Sequence, residues 1–267
     1  MDRSLRNRFF SRGAGLGLNY LPTMVSQKPW QLEPFLRLVL RLVFSFAVGG
    51  MLASVVRHAL GEKLVEDSLL NLFLAALTFQ VAALVFIAMF LREQQTGWAA
   101  AFGFGNRWPQ AIGLGFMAGV IVLPVVWGLQ WLSAELLAHT GFDVREQETV
   151  RLLRDSHTVG KQIFIGVVAI VLAPPVEEIF FRGILYPLIK QSGFPHWALW
   201  GVAILFALIH GSLPILLPLA ALAVILTLLY EWTDNLLAPI LVHAIFNAAN
   251  FSMMFLLDGF SKFPTQP

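Results

Sequence analysis

The chain has 267 residues, 57% of them hydrophobic and 13% charged, with a formal net charge of +2, no cysteine and a mean hydropathy of +0.72. Soluble domains carry roughly 45–50% apolar and about 25% charged residues, so this composition is that of an integral membrane protein. It excludes disulfides, a thiol nucleophile and cysteine-based zinc sites. With no basic stripe interleaved with aromatics, nucleic acid is not an expected partner.

Residues 1–34 read as a basic cytoplasmic tail, in which Arg3, Arg6, Arg8, Arg12 and Lys28 outweigh Asp2 and hold the N-terminus inside by the positive-inside rule. A bilayer core about 30 Å thick needs about 20 apolar residues per helical crossing. That ruler predicts spans at 35–56, 69–91 and 111–132, the last with Gly113, Gly115 and Gly119 for close packing and Pro124 for a kink. A polar connection follows at 133–161, within which a short interfacial helix is one reading and a surface loop the other. A fourth apolar segment at 162–190 is broken by Pro174 and Pro175, and segments at 196–210, 213–230 and 235–257 complete an all-α polytopic bundle of about seven crossings. Chain organisation follows as the tail, N-terminal helices with the polar loop over 35–160, and a C-terminal helical core over 161–260. Seven crossings from an inside start put the 133–161 connection outside, against its Arg145, Arg151, Arg154 and Lys161. The tail and plain topology predict a bacterial inner membrane, with the lipid bilayer as a permanent partner. Gln80 reads as a helix-contact group, and Trp98, Trp108, Trp131, Trp197 and Trp232 read as an aromatic belt.

The stretch "APPVEEIFFRG" sets three ionisable groups in an apolar helix. Pro174 and Pro175 cannot donate to the carbonyls of Ile170 and Val171, so a helix through them must kink or restart, next to protein or a water-filled cavity that satisfies those carbonyls. Glu178 and Arg182 stand four apart with the acid first, the favourable order for an ion pair, and are expected to lock helices together. Glu177 lies about 100° around the helix from Glu178, which leaves it unpaired, and an unpaired carboxylate at membrane depth is a functional candidate by default. His210 ends "FALIH", one turn after Phe206; His243 and Asn247 in "HAIFN" share one helix face, with Asn250 near it. A lone membrane histidine is as readily a helix-to-helix hydrogen-bonding group, but Glu177, His210, His243 and Asn247 brought together would pair a base with hydrogen-bond donors, a hydrolytic arrangement.

In order and spacing, "EEIFFR" at 177–182, "FALIH" at 206–210 and "HAIFN" at 243–247 resemble the three motifs of the CAAX-protease and bacteriocin-processing (Abi) family. The resemblance covers roughly the C-terminal half. It implies an intramembrane endopeptidase related to the type II CAAX prenyl endopeptidase, which removes three residues after a prenylated cysteine. Carried over, Glu177 activates the attacking water with His210 assisting, His243 and Asn247 stabilise the oxyanion, and Glu178, Arg182 and Phe206 support them. The expected substrate is a hydrophobic or lipidated peptide or protein, and a prenyl group is not assumed. No cofactor is expected, since a His-Glu-x-x-His pair is lacking; the alternative is a divalent metal such as zinc on Glu177, His210 and His243. Two other functions fit the same residues: a non-catalytic membrane scaffold or immunity protein, and an ion-coupled carrier with Glu177 at its binding site.

Overall fold

A computed structural model describes residues 25–60, 75–139, 153 and 158–261. Arg3, Arg6, Arg8 and Arg12, the start of the second expected span and most of the polar connection lie outside the described residues. Because lipid offers backbone groups no partner, apolar segments of this length satisfy themselves as helices, and among the described residues there is no strand.

Helix α1 is Leu32–Leu60. Helix α2 is Ala82–Glu93, entered through a π-helical turn, Leu77–Val81, in which Gln80 is buried. A short α3, Trp98–Phe102, leads into α4, Trp108–Ala138, which runs through Pro124 and extends beyond the expected span at both ends. Val159–Gln191 forms one long helix, α5, followed by α6 (Pro195–Leu208), α7 (Leu213–Thr233) and α8 (Leu237–Ser261). Helices α4, α6 and α7 begin with a proline in the first turn, where its missing N–H costs nothing. Among the described residues, five helices are long and apolar enough to cross a membrane: α1, α4, α5, α7 and α8. Helix α6 is apolar but shorter, 14 residues or roughly 21 Å.

Helix α8 packs mainly on α4, and α7 lies between α4 and α6. The close approach of α8 to α4 depends on Gly115, where a Cβ would stand 2.8 Å from the Ala238 carbonyl oxygen, and Gly119, where it would meet Ile245 at 2.8 Å. Gly113, expected on the same packing face, has nothing within 4 Å: its position turns away from α8. One apolar core surrounds Phe206, Leu222, Leu226 and Val242, and a second joins Trp30, Leu38, Phe90 and Phe102 to Ile179 and Ile184 of α5. Large apolar side chains such as Phe44, Phe116 and Trp197 remain exposed on the outside of the bundle, the surface that lipid covers.

The start of α1, the α2–α4 connection, the end of α5 and the α7–α8 turn meet at one end of the bundle. Asp234 closes α7 at φ 44°, the Leu236 N–H donates to the Phe102 carbonyl at 3.0 Å, and Asn235 Nδ2 donates to the Asn106 carbonyl at 2.6 Å. Gly103, at φ 74°, makes this contact feasible, since a Cβ there would fall 1.8 Å from the Asp234 carbonyl oxygen. Lys28, counted in the basic tail, is buried and pairs with Asp234 at 3.4 Å.

Candidate active site

The site is built on α5. Its expected break is a change of register: π-helical stretches Val168–Leu172 and Ile179–Leu185 flank the α-helical Ala173–Glu178. In the first stretch the Ala173 N–H reaches back five residues to the Val168 carbonyl. The next donor in that register is Pro174, which has no N–H, so the Ala169 carbonyl is left over. Asn247 Nδ2 from α8 donates to it at 2.8 Å. The register shift thus moves one stranded acceptor to Ala169, one residue before the pair expected from a plain α-helix.

Past the prolines, Glu178 and Arg182 are both fully buried and paired at 2.8 Å. Arg182 also donates to the Ala223 carbonyl at 3.3 Å and lies 4.5 Å above the Phe206 ring, a cation–π contact in a dry setting. Glu178 does more than lock helices. The same Oε1 that faces Arg182 accepts from His243 Nδ1 at 2.8 Å, so α5 fixes the ring orientation of a histidine on α8.

Glu177 faces the other way. Its Oε2 is buried, has no hydrogen-bond partner, and lies 3.9 Å from His243 Nε2 and 4.0 Å from His210 Nε2. His210 Nδ1 is 2.7 Å from the Phe206 carbonyl, an acceptor, so Nδ1 carries the proton. With both Nδ1 atoms engaged as donors, the two Nε2 atoms turn lone pairs toward the Glu177 carboxylate whenever the rings are neutral. Phe206 separates the layers: its ring centroid is 4.8 Å from that of His210 and 5.6 Å from that of His243.

Glu177, His210 and His243 therefore converge, with Glu178, Arg182 and Phe206 behind them. Asn247, one turn beyond His243, engages the Ala169 carbonyl with one amide hydrogen and retains a second. Asn250 accepts from Trp127 Nε1 at 3.0 Å and ties α8 to α4. Among the described residues, no group of three or more His, Cys, Asp or Glu side chains is arranged to hold a metal ion. The Ala223 and Ala169 carbonyls escape sequence reasoning because backbone acceptors carry no residue signature; the prolines announce that carbonyls are stranded but not which distant side chain reaches them.

Fold and site define a polytopic α-helical membrane protein with a cluster of buried and half-buried carboxylates and histidines. Residues 159–249 match the family model described as "Type II CAAX prenyl endopeptidase Rce1-like", in agreement with the resemblance carried by the three motifs. The chain is also similar to "Uncharacterized protein YpbD" of Bacillus subtilis (strain 168), 33% identical over 76 residues. That similarity covers 27% of this chain and 36% of the relative, so it spans little more than a third of the relative's length. No solved structure matches.

Proposed function

We propose that the protein is an intramembrane endopeptidase in which Glu177 activates water against a peptide bond of a hydrophobic or lipid-anchored substrate. The observation that carries this reading is the partnerless, buried Glu177 Oε2 with a histidine Nε2 on each side at 3.9 and 4.0 Å, a separation that one water molecule spans with hydrogen bonds of ordinary length. Glu177 takes a proton as the water attacks the carbonyl carbon, and His210 Nε2 is the adjacent acceptor that passes it toward the leaving amine. In its imidazolium form, held by Glu178, His243 offers Nε2–H to the developing oxyanion. The second amide hydrogen of Asn247 supplies a further donor.

This chemistry proceeds without a metal. The test is cleavage of internally quenched peptides, farnesylated and unmodified, by the purified protein and by Glu177→Gln, with and without chelator. We expect chelator-resistant cleavage that Glu177→Gln lowers by a factor of about 10² or more. Chelator-sensitive cleavage would turn Glu177, His210 and His243 into metal ligands. Peptide binding without turnover would favour a scaffold, and ion flux that depends on Glu177 a carrier.

A further inference from the structure

The helix that carries Glu177, Glu178 and Arg182 contains another proline, Pro187, and it strands a second carbonyl. The Tyr186 N–H reaches back five residues to the Phe181 carbonyl, and α-helical register resumes over Tyr186–Gln191. At this change of register Pro187 would serve Arg182, five back, or Gly183, four back, and it has no N–H to give either. The donor comes from outside the family-matched segment. Trp30, just ahead of α1, donates its indole N–H to the Gly183 oxygen at 2.8 Å. Trp30 is 8% exposed, and its ring is held by Phe90, with centroids 5.1 Å apart, and Phe102, at 6.5 Å. Gly183 itself lacks the Cβ that would stand 2.7 Å from the Phe102 ring and 3.0 Å from Leu236, so the indole, Phe102 and the α5 backbone fit together only with glycine at this position.

The residues around Trp30 touch the same helix again. The Lys28 N–H donates to Gln191 Oε1 at 3.3 Å, and Lys28 Nζ and Ser26 Oγ both reach Asp234 Oδ1 at the α7–α8 turn, at 3.4 and 3.2 Å. Residues 25–31 thus form a strap across the end of the bundle, fastened to α5 at two points and to the α7–α8 turn at a third. Gly183 lies in the π-helical stretch Ile179–Leu185, one residue after Arg182. The register of that stretch decides where Arg182 projects, and through Glu178 where His243 is held. Two donors therefore flank the catalytic turn, Asn247 at the Ala169 carbonyl before it and Trp30 at the Gly183 carbonyl after it.

We infer that Trp30 is a positioning residue: its indole N–H clamps the Gly183 carbonyl, which Pro187 cannot serve where α5 returns from π- to α-helical register, and so fixes the register that sets Arg182, Glu178 and His243. The consequence for catalysis rests on the hydrolytic reading above, whereas the clamp itself does not. The experiment replaces Trp30 in the full chain by β-(3-benzothienyl)alanine, which exchanges the N–H for sulfur and keeps the ring shape, with Trp30→Phe as a second variant and 5-fluorotryptophan, which retains the N–H, as the rescue. Peptide cleavage and amide hydrogen exchange by mass spectrometry are read together. Loss of one buried hydrogen bond is expected to lower kcat about tenfold with KM within about twofold, and to speed exchange over residues 179–191 but not in α6. The fluoro analogue is expected to restore both. Wild-type kcat and exchange in the sulfur analogue would overturn the inference, as would equal loosening of every helix. Should the wild type cleave no peptide, the hydrolytic reading fails, and exchange alone decides: acceleration confined to residues 179–191 upholds the clamp, and its absence refutes it.

Discussion

Arg182 is among the largest fully buried side chains of the described residues, and Glu178 is the carboxylate that compensates its charge. Removing one partner of such a pair leaves an unpaired charge in a dry interior. We expect Arg182→Leu to lower unfolding stability by about 3–5 kcal/mol, and the double change with Glu178→Leu to recover much of that loss. Activity should not return with stability, because His243 Nδ1 then has no acceptor. Melting temperature and peptide cleavage, measured on the same three variants, separate the two effects; parallel recovery of both would show that Glu178 does nothing for His243. At this scale the sequence was informative in part. The spacing of Glu178 and Arg182 predicts their pairing, since both sit on one helix, and the roughly 100° offset leaves Glu177 free. The bond from His243 to Glu178 and that from Asn247 to Ala169 cross between helices whose rotation no local pattern sets.

At the scale of the element, the register of α5 explains why its prolines are tolerated. If Asn247 substitutes for the N–H that Pro174 lacks, the two positions must be coupled. Asn247→Ala should cost about 1–3 kcal/mol by orphaning the Ala169 carbonyl, and less when Pro174→Ala supplies a backbone donor. A double-mutant cycle is expected to give a coupling of about 0.5–3 kcal/mol, and strict additivity would argue against the assignment. The pairing of α4 with α8 yields a second contrast. Gly115→Val should destabilise by about 1–3 kcal/mol through overpacking against Ala238, while Gly113→Val, with nothing within 4 Å of its Cβ, should leave the melting temperature unchanged. All three glycines look alike in the sequence, and only the rotation of α4 tells them apart. Helices α1 and α2 are joined at their ends by Arg37 and Arg41 on Glu93, at 3.2 and 2.9 Å. The Arg41 hydrogen bond, foremost, holds the Glu93 carboxyl below its ordinary value. Its contribution is therefore present above the ordinary carboxylate range and is lost as pH falls through the depressed value. For a partly exposed pair this is worth less than about 1 kcal/mol, so Glu93→Gln should lower stability slightly at pH 7 and converge with wild type in acid.

For the whole molecule, hydropathy and span length predict the bundle well, because lipid forces every long apolar segment into a helix. They say little about how the helices face one another, which depends on contacts far apart in sequence. The cysteine-free chain allows its topology to be mapped directly. The α2–α3 connection, the α5–α6 turn and the α7–α8 turn lie at the end of the bundle where α1 begins, and α4 separates them from His139. Single cysteines at Gln95 and Ser192 should therefore react with a membrane-impermeant thiol reagent on the same side, and a cysteine at His139 on the other. If the N-terminus is cytoplasmic, the first two are protected in intact cells and the third is labelled; the reverse pattern would invert the orientation expected from the basic tail.

The shortness of α6 has a consequence for the surrounding lipid. A helix of roughly 21 Å in a hydrocarbon layer of about 30 Å leaves the His210–Ser212 turn beneath the level of the headgroups. Hydrophobic mismatch of this kind is relieved by local thinning of the bilayer. Water is therefore expected to reach the Glu177 carboxylate more readily in short-chain vesicles, which keep the turn wet, than in long-chain vesicles, which bury it, and cleavage rates in the two should differ accordingly.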